Sequence, residues 1–153
     1  MLTNLARIPL LVVLVATAWI GGKAAFAGGQ SLIASNSDHV AIQGYDPVGY
    51  FTDKQAVMGS TKYGYKFDDV IWLFSSDAHR ILFIANPEHY MPQYGGFCAG
   101  SLSSSGGLVV ANPKAWVIVD DKLYMFAGAK YYGSWTAQEI AAADQNWRSR
   151  TGQ

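Results

Sequence analysis

Twice in this chain an Asp-Asp pair stands between two short runs rich in aromatic and β-branched residues. Lys62–Phe67 (KYGYKF) alternates rings with small or polar residues, Asp68-Asp69 follows, and then comes the apolar run Val70–Phe74 (VIWLF). Ala115–Val119 (AWVIV) and Lys122–Phe126 (KLYMF) flank Asp120-Asp121 in the same way. Two turn-forming residues between such runs predict two β-hairpins. A further short strand is expected at Val40–Ile42, ended by the turn at Gly44-Tyr45-Asp46-Pro47. Helical signals fall outside the hairpins. Ser75-Ser76-Asp77 supplies an N-cap and a first-turn acid, and Ile81, Leu82 and Ala85 form the expected buried stripe of a helix ending near Ala85. Asn86-Pro87 restarts a helix that Pro92 ends. Ser103–Gly107 reads as a loop. Thr136 with Glu139 is a capping box, and Ile140, Ala143 and Trp147 give the last helix one face for the core. The expected class is α+β: a small antiparallel sheet of two hairpins, with short helices and a C-terminal helix packed on it.

The N-terminus addresses location rather than fold. Arg7 precedes the uncharged apolar stretch Leu10–Ile20, and Ala25-Phe26-Ala27 supplies small residues at a cleavage site before Gly28-Gly29. That is the layout of a secretory signal peptide. The apolar stretch has about half the roughly 20 residues a spanning helix needs, so no permanent membrane anchor is expected; an uncleaved N-terminal anchor is the alternative. The predicted organisation is a signal peptide over 1–27, a flexible lead-in over 28–38 and one domain over 39–153, periplasmic or secreted. Eleven Lys and Arg balance eleven Asp and Glu, and losing Arg7 and Lys23 leaves the mature chain slightly negative. With no basic stripe, nucleic acid is not an expected partner. No protein partner is identified.

Cys98 is the only cysteine, which rules out an internal disulfide, a CxxC redox site and any multi-thiolate zinc site. It follows Gly95-Gly96-Phe97, where a turning backbone would present the thiol at a helix start or in a nest of amides. The alternative is a small buried core residue. His39 lies in the polar lead-in, His79 at the edge of the first helix's buried face, and His89 with Met91 close in sequence to Cys98. Cysteine, imidazole and thioether are the donors of soft-metal chemistry, including monovalent copper. The chain also holds five Trp, nine Tyr and seven Phe, so rings either fill the core or line a pocket. Tyr45, Tyr50, Tyr90, Tyr94 and Trp116 are the candidates for an aromatic groove. No catalytic motif stands out, and Asp46, Asp68, Asp69, Asp120 and Asp121 read as turn residues.

Gly44-Tyr45-Asp46-Pro47-Val48, Phe74-Ser75-Ser76, Asn86-Pro87-Glu88-His89-Tyr90 and Pro92–Ala99 together resemble a YHS-domain protein of the exported single-domain bacterial type. Phe83, Ala115-Trp116, Lys122-Leu123-Tyr124 and Ala143–Trp147 extend the resemblance over nearly the whole mature chain. It implies a small α+β domain and, through shorter relatives, a link to heavy-metal handling, with no established reaction. Where the short metal-associated form carries cysteines, this chain has Gly49, Ser75 and His79. The expected function is therefore an exported, non-catalytic binding or accessory domain. It would hold copper or another soft metal through Cys98 and His79, with His89 or Met91 as further ligands. An aromatic-lined small-molecule or protein interaction module without metal and a thiol-dependent enzyme using Cys98 are the alternatives.

Overall fold

A computed structural model of the chain describes residues 32–128 and 133–152. The expected signal peptide and the start of the lead-in lie outside the described residues. Both hairpins form. β1 (Ser60–Phe67) pairs antiparallel with β2 (Val70–Phe74), and β3 (Asn112–Val119) pairs antiparallel with β4 (Lys122–Phe126). Asp68 and Asp69 have φ of 55° and 61°, and Asp120 and Asp121 have 49° and 60°. Two successive left-handed residues make the primed turn whose twist matches the flanking strands, and aspartate tolerates that conformation better than most residues. The hairpins are two separate two-stranded sheets rather than one continuous sheet.

What joins them is burial on both faces of the second hairpin. Leu123 and Met125 face a first core with Tyr50, Trp72, Phe74 and Phe83. Tyr124 and Phe126, the alternate residues of β4, face a second core with Leu102, Trp135 and Ala143. Side chains alternate across a strand, so β4 needs apolar residues at every buried position, and Leu-Tyr-Met-Phe provides them.

Among the described residues, five helices surround the hairpins: α1 (Gly49–Thr52), α2 (Asp77–Ala85), α3 (Pro87–Tyr90), α4 (Ala99–Ser105) and α5 (Ala137–Thr151). None of the described helices is long and apolar enough to cross a membrane. The capping box of α5 is present: Thr136 Oγ1 accepts from Glu139 N at 3.3 Å, and Glu139 Oε2 accepts from Thr136 N at 2.9 Å. These hydrogen bonds lower the Glu139 pKa. Their contribution is present above the unfolded carboxylate pKa and is lost as pH falls through the lowered folded value. Replacing Thr136 by Ala is expected to cost about 1 kcal/mol at neutral pH, measured by urea denaturation.

Three local expectations change. The buried residue of α2 is Phe83, while Ile81, Leu82 and Ala85 are exposed, because the ring at 83 reaches Phe67, Trp72 and Phe74. Ser103–Ser105 is helical rather than loop, and the helix ends at Gly106 in the left-handed conformation that favours glycine. Val40 and Ala41 make single bridges to Ile71 and Ser35, and Ile42 begins a 3-10 turn, so no strand forms there. Among the described glycines, Gly95 leaves the least room for a side chain. It has φ +61°, and a Cβ there would sit 1.9 Å from the Leu32 carbonyl oxygen. Gly95→Ala is expected to lose about 2 kcal/mol, read as a lowered denaturation midpoint with an unchanged slope.

Candidate functional site

Asp46 is the one buried charged side chain among the described residues, at 0% exposure. The turn at Gly44–Pro47 aims it inward, and its backbone N–H is anchored on Val57 O at 2.8 Å. Oδ1 accepts from Val48 N at 2.9 Å and Gly49 N at 3.3 Å, which starts α1. Oδ2 accepts from Ser75 N at 2.8 Å and Ser75 Oγ at 2.7 Å, which fixes the end of β2. It also contacts His79 Nδ1 at 2.7 Å. Five contacts on one carboxyl group tie three elements together.

The helix start of α2 delivers the imidazole. Ser76 Oγ accepts from His79 N at 3.2 Å, so the N-cap fixes the first turn, and Ser75 Oγ, just before that cap, lies 3.2 Å from His79 Nδ1. A carboxylate at Nδ1 makes that nitrogen the donor and leaves Nε2 as the acceptor in the neutral ring. Nε2 points outward, 3.2 Å from Thr52 Oγ1 and 3.9 Å from Asp53 Oδ1. Thr52 Oγ1 also lies 3.1 Å from Asp53 Oδ1 and 3.2 Å from Val48 O. The result is a buried carboxylate, an oriented imidazole and, at the surface, a hydroxyl and a second carboxylate. Such a row can present one imidazole nitrogen to a metal ion or hydrogen-bond donor in a fixed direction.

The four expected soft-metal residues are not one cluster. Cys98 is buried at the N-cap of α4, and its Sγ accepts from Ser101 N at 3.4 Å and Ala127 N at 3.2 Å. The glycine-rich turn does place it at a helix start, but within the second core. His79 belongs with Asp46. His89 meets Phe51 at a tilt and Tyr90 edge-on, with Nδ1 3.4 Å from Asp121 Oδ2. Met91 packs half-buried on the first core. Among the described residues, no group of three or more His, Cys, Asp and Glu could hold a metal ion.

Four of the five candidate groove rings gather at the first core, and Tyr94 belongs to the second. Tyr50 is fully buried, donates to Pro113 O at 2.9 Å and meets Trp116 edge-on at 5.1 Å. Burial, with smaller contributions from Tyr45 and Asp46, raises its pKa well above that of an ordinary phenol. Tyr94 is buried in the second core; Tyr45, Tyr90 and Trp116 are half-buried against the first. A cavity of about 150 Å³ is walled by Ile42, Val110, Ala111, Pro113 and Met125, and none of the five rings lines it. A second, of about 280 Å³, is bordered by Tyr94 alone of the five.

The sequence reading took Asp46 for a turn residue and Ser75 for part of a helix cap and a replaced cysteine position, and it passed over Thr52 and Asp53. The available signal was positional: an aspartate before proline starts a helical turn, and Ser75 stands just before the cap Ser76, whose helix carries His79 in its first turn. No family model, no curated protein and no solved structure matches this chain.

Proposed function

We propose that this chain is a non-catalytic binding or accessory domain that offers Nε2 of His79 to a first-row transition-metal ion, with the Asp53 carboxylate as second donor. The observation that carries this reading is the 2.7 Å contact between buried Asp46 and His79 Nδ1. A carboxylate behind a histidine fixes the tautomer and ring direction and raises the basicity of the ligating nitrogen. Imidazole and carboxylate are donors for Cu²⁺ or Zn²⁺ rather than for monovalent copper, which prefers the thiolate and thioether that this fold keeps elsewhere. Two protein donors leave the other coordination positions to water or to a partner's groups, which suits transfer better than storage. The exported location and the YHS-domain resemblance remain parts of this proposal that rest on sequence. A thiol-dependent enzyme draws no support from Cys98, which is buried and serves as a helix cap.

Competition titration with Cu²⁺ and Zn²⁺ tests the reading. His79→Ala should abolish specific binding, Asp46→Asn should weaken it about 10–100-fold, and Cys98→Ser should leave it unchanged. Binding that survives His79→Ala and disappears with Cys98→Ser would overturn it.

A further inference from the structure

The cleft of about 280 Å³ lies away from His79, between the 3-10 turn Gln93–Gly96 and the last turns of α5. Gln93, Tyr94, Asp144, Trp147 and Arg148 border it. Two segments far apart in the chain therefore converge there, and one of them is strained: Tyr94 has φ 56°, a left-handed conformation that a bulky side chain rarely adopts. Tyr94 Oη donates to Asp144 Oδ1 at 2.8 Å. Burial first, and then this carboxylate, raise the phenol's pKa, so it stays a neutral donor across the physiological range.

The hydrogen bond has a consequence one turn further along the helix. Asp144 and Arg148 stand at i, i+4, where opposite charges usually pair. Here Asp144 turns to Tyr94, and among the described residues no hydrogen bond or ion pair engages the Arg148 guanidinium or the Gln93 carboxamide. The cleft thus presents a cation with all its donors free, a carboxylate with one oxygen free and a free amide. Beside them is the half-buried Trp147 indole, already in ring contact with Tyr94 and Phe97. A few convergent polar groups around an aromatic wall are the usual makings of a small-ligand site.

We propose that this cleft binds a small aromatic zwitterion of the amino-acid class. The ligand carboxylate pairs with Arg148, its ammonium with the free oxygen of Asp144, and its ring packs on Trp147. A guanidinium takes a carboxylate through two parallel hydrogen bonds, and an indole face accepts an aromatic side chain in offset or edge-on contact. This site is separate from His79 and does not depend on metal binding.

Calorimetric titration of the full chain with L-phenylalanine is the test. L-phenylalanine should bind. L-phenylalaninol, which lacks the carboxylate, N-acetyl-L-phenylalanine, which lacks the charged amine, and glycine, which lacks the ring, should each bind at least about ten-fold more weakly. Arg148→Gln, an exposed change on a helix surface, should weaken L-phenylalanine about ten-fold or more, whereas His79→Ala should leave it unchanged. No binding of L-phenylalanine at millimolar concentration, equal binding of the three analogues, or full affinity in Arg148→Gln would overturn the proposal.

Discussion

Asp46→Ala is expected to destabilise the protein by about 3–5 kcal/mol and to lower its melting temperature by roughly 10–20 °C. Removing the carboxyl group strands the amides of Val48, Gly49 and Ser75, the Ser75 hydroxyl and the His79 Nδ1–H around a small void. A buried donor without a partner costs about 1–3 kcal/mol, and only some of these groups can turn to water. Three elements lose their common anchor at once, so the start of α1, the end of β2 and the ring of His79 should loosen together. Asp46→Asn keeps one acceptor oxygen and much of the volume, so it should cost less while still losing the charge behind the imidazole. Thermal unfolding followed by far-ultraviolet circular dichroism distinguishes the two. An Asp46→Ala protein as stable as the parent would mean that the carboxylate is not the organising group.

Phe83→Ala should cost a comparable 3–5 kcal/mol, while Ile81→Ala, two residues earlier on the same helix, should stay within about 0.5 kcal/mol. Phe83 is fully buried, with ring centroids 5.1 Å from Trp72, 5.2 Å from Phe74 and 6.0 Å from Phe67. Truncation removes the ring that these three share and leaves a cavity bounded by rigid aromatics, which collapse poorly. Ile81 is 56% exposed, so its side chain gives up little on truncation. Urea denaturation of the two variants reads the contrast directly. Equal losses would place the buried face of α2 where its sequence pattern had suggested.

That pattern shows why part of the fold was legible and part was not. The hairpins announced themselves because two signals coincided: apolar residues on both sides, and a dipeptide that tolerates left-handed backbone between them. The last helix was equally plain, since Thr136 and Glu139 specify its start and Ala143 its buried face. In α2 the run Ile-Leu-Phe-Ile-Ala is apolar all round, so helical spacing alone supports more than one buried stripe. The ring partners of Phe83 decide between them, and those come from other elements. α4 was hidden for a different reason. Ala-Gly-Ser-Leu-Ser-Ser-Ser has little intrinsic helix preference, and the helix exists through buried Leu102, the Cys98 cap and an Asn146 Nδ2 hydrogen bond to Leu102 O at 2.8 Å. The site was legible only at its edge. His79 was singled out from its place on the helix, but Asp46 resembles any turn aspartate until the end of β2 and the start of α2 are folded against it. Cys98 drew attention by being alone, and the fold uses it as a cap.

The account rests on His79 being held by Asp46 with Nε2 as its contact nitrogen. The most direct measurement is nitrogen-15 NMR of the His79 imidazole during titration with Zn²⁺, in the parent protein and in Cys98→Ser. The account predicts a proton at Nδ1, hydrogen-bonded to Asp46, before zinc is added. Zinc should then shift the Nε2 resonance, and do so identically in both proteins. A ring protonated at Nε2 alone, or zinc binding that leaves His79 unmoved and vanishes with Cys98→Ser, would contradict it.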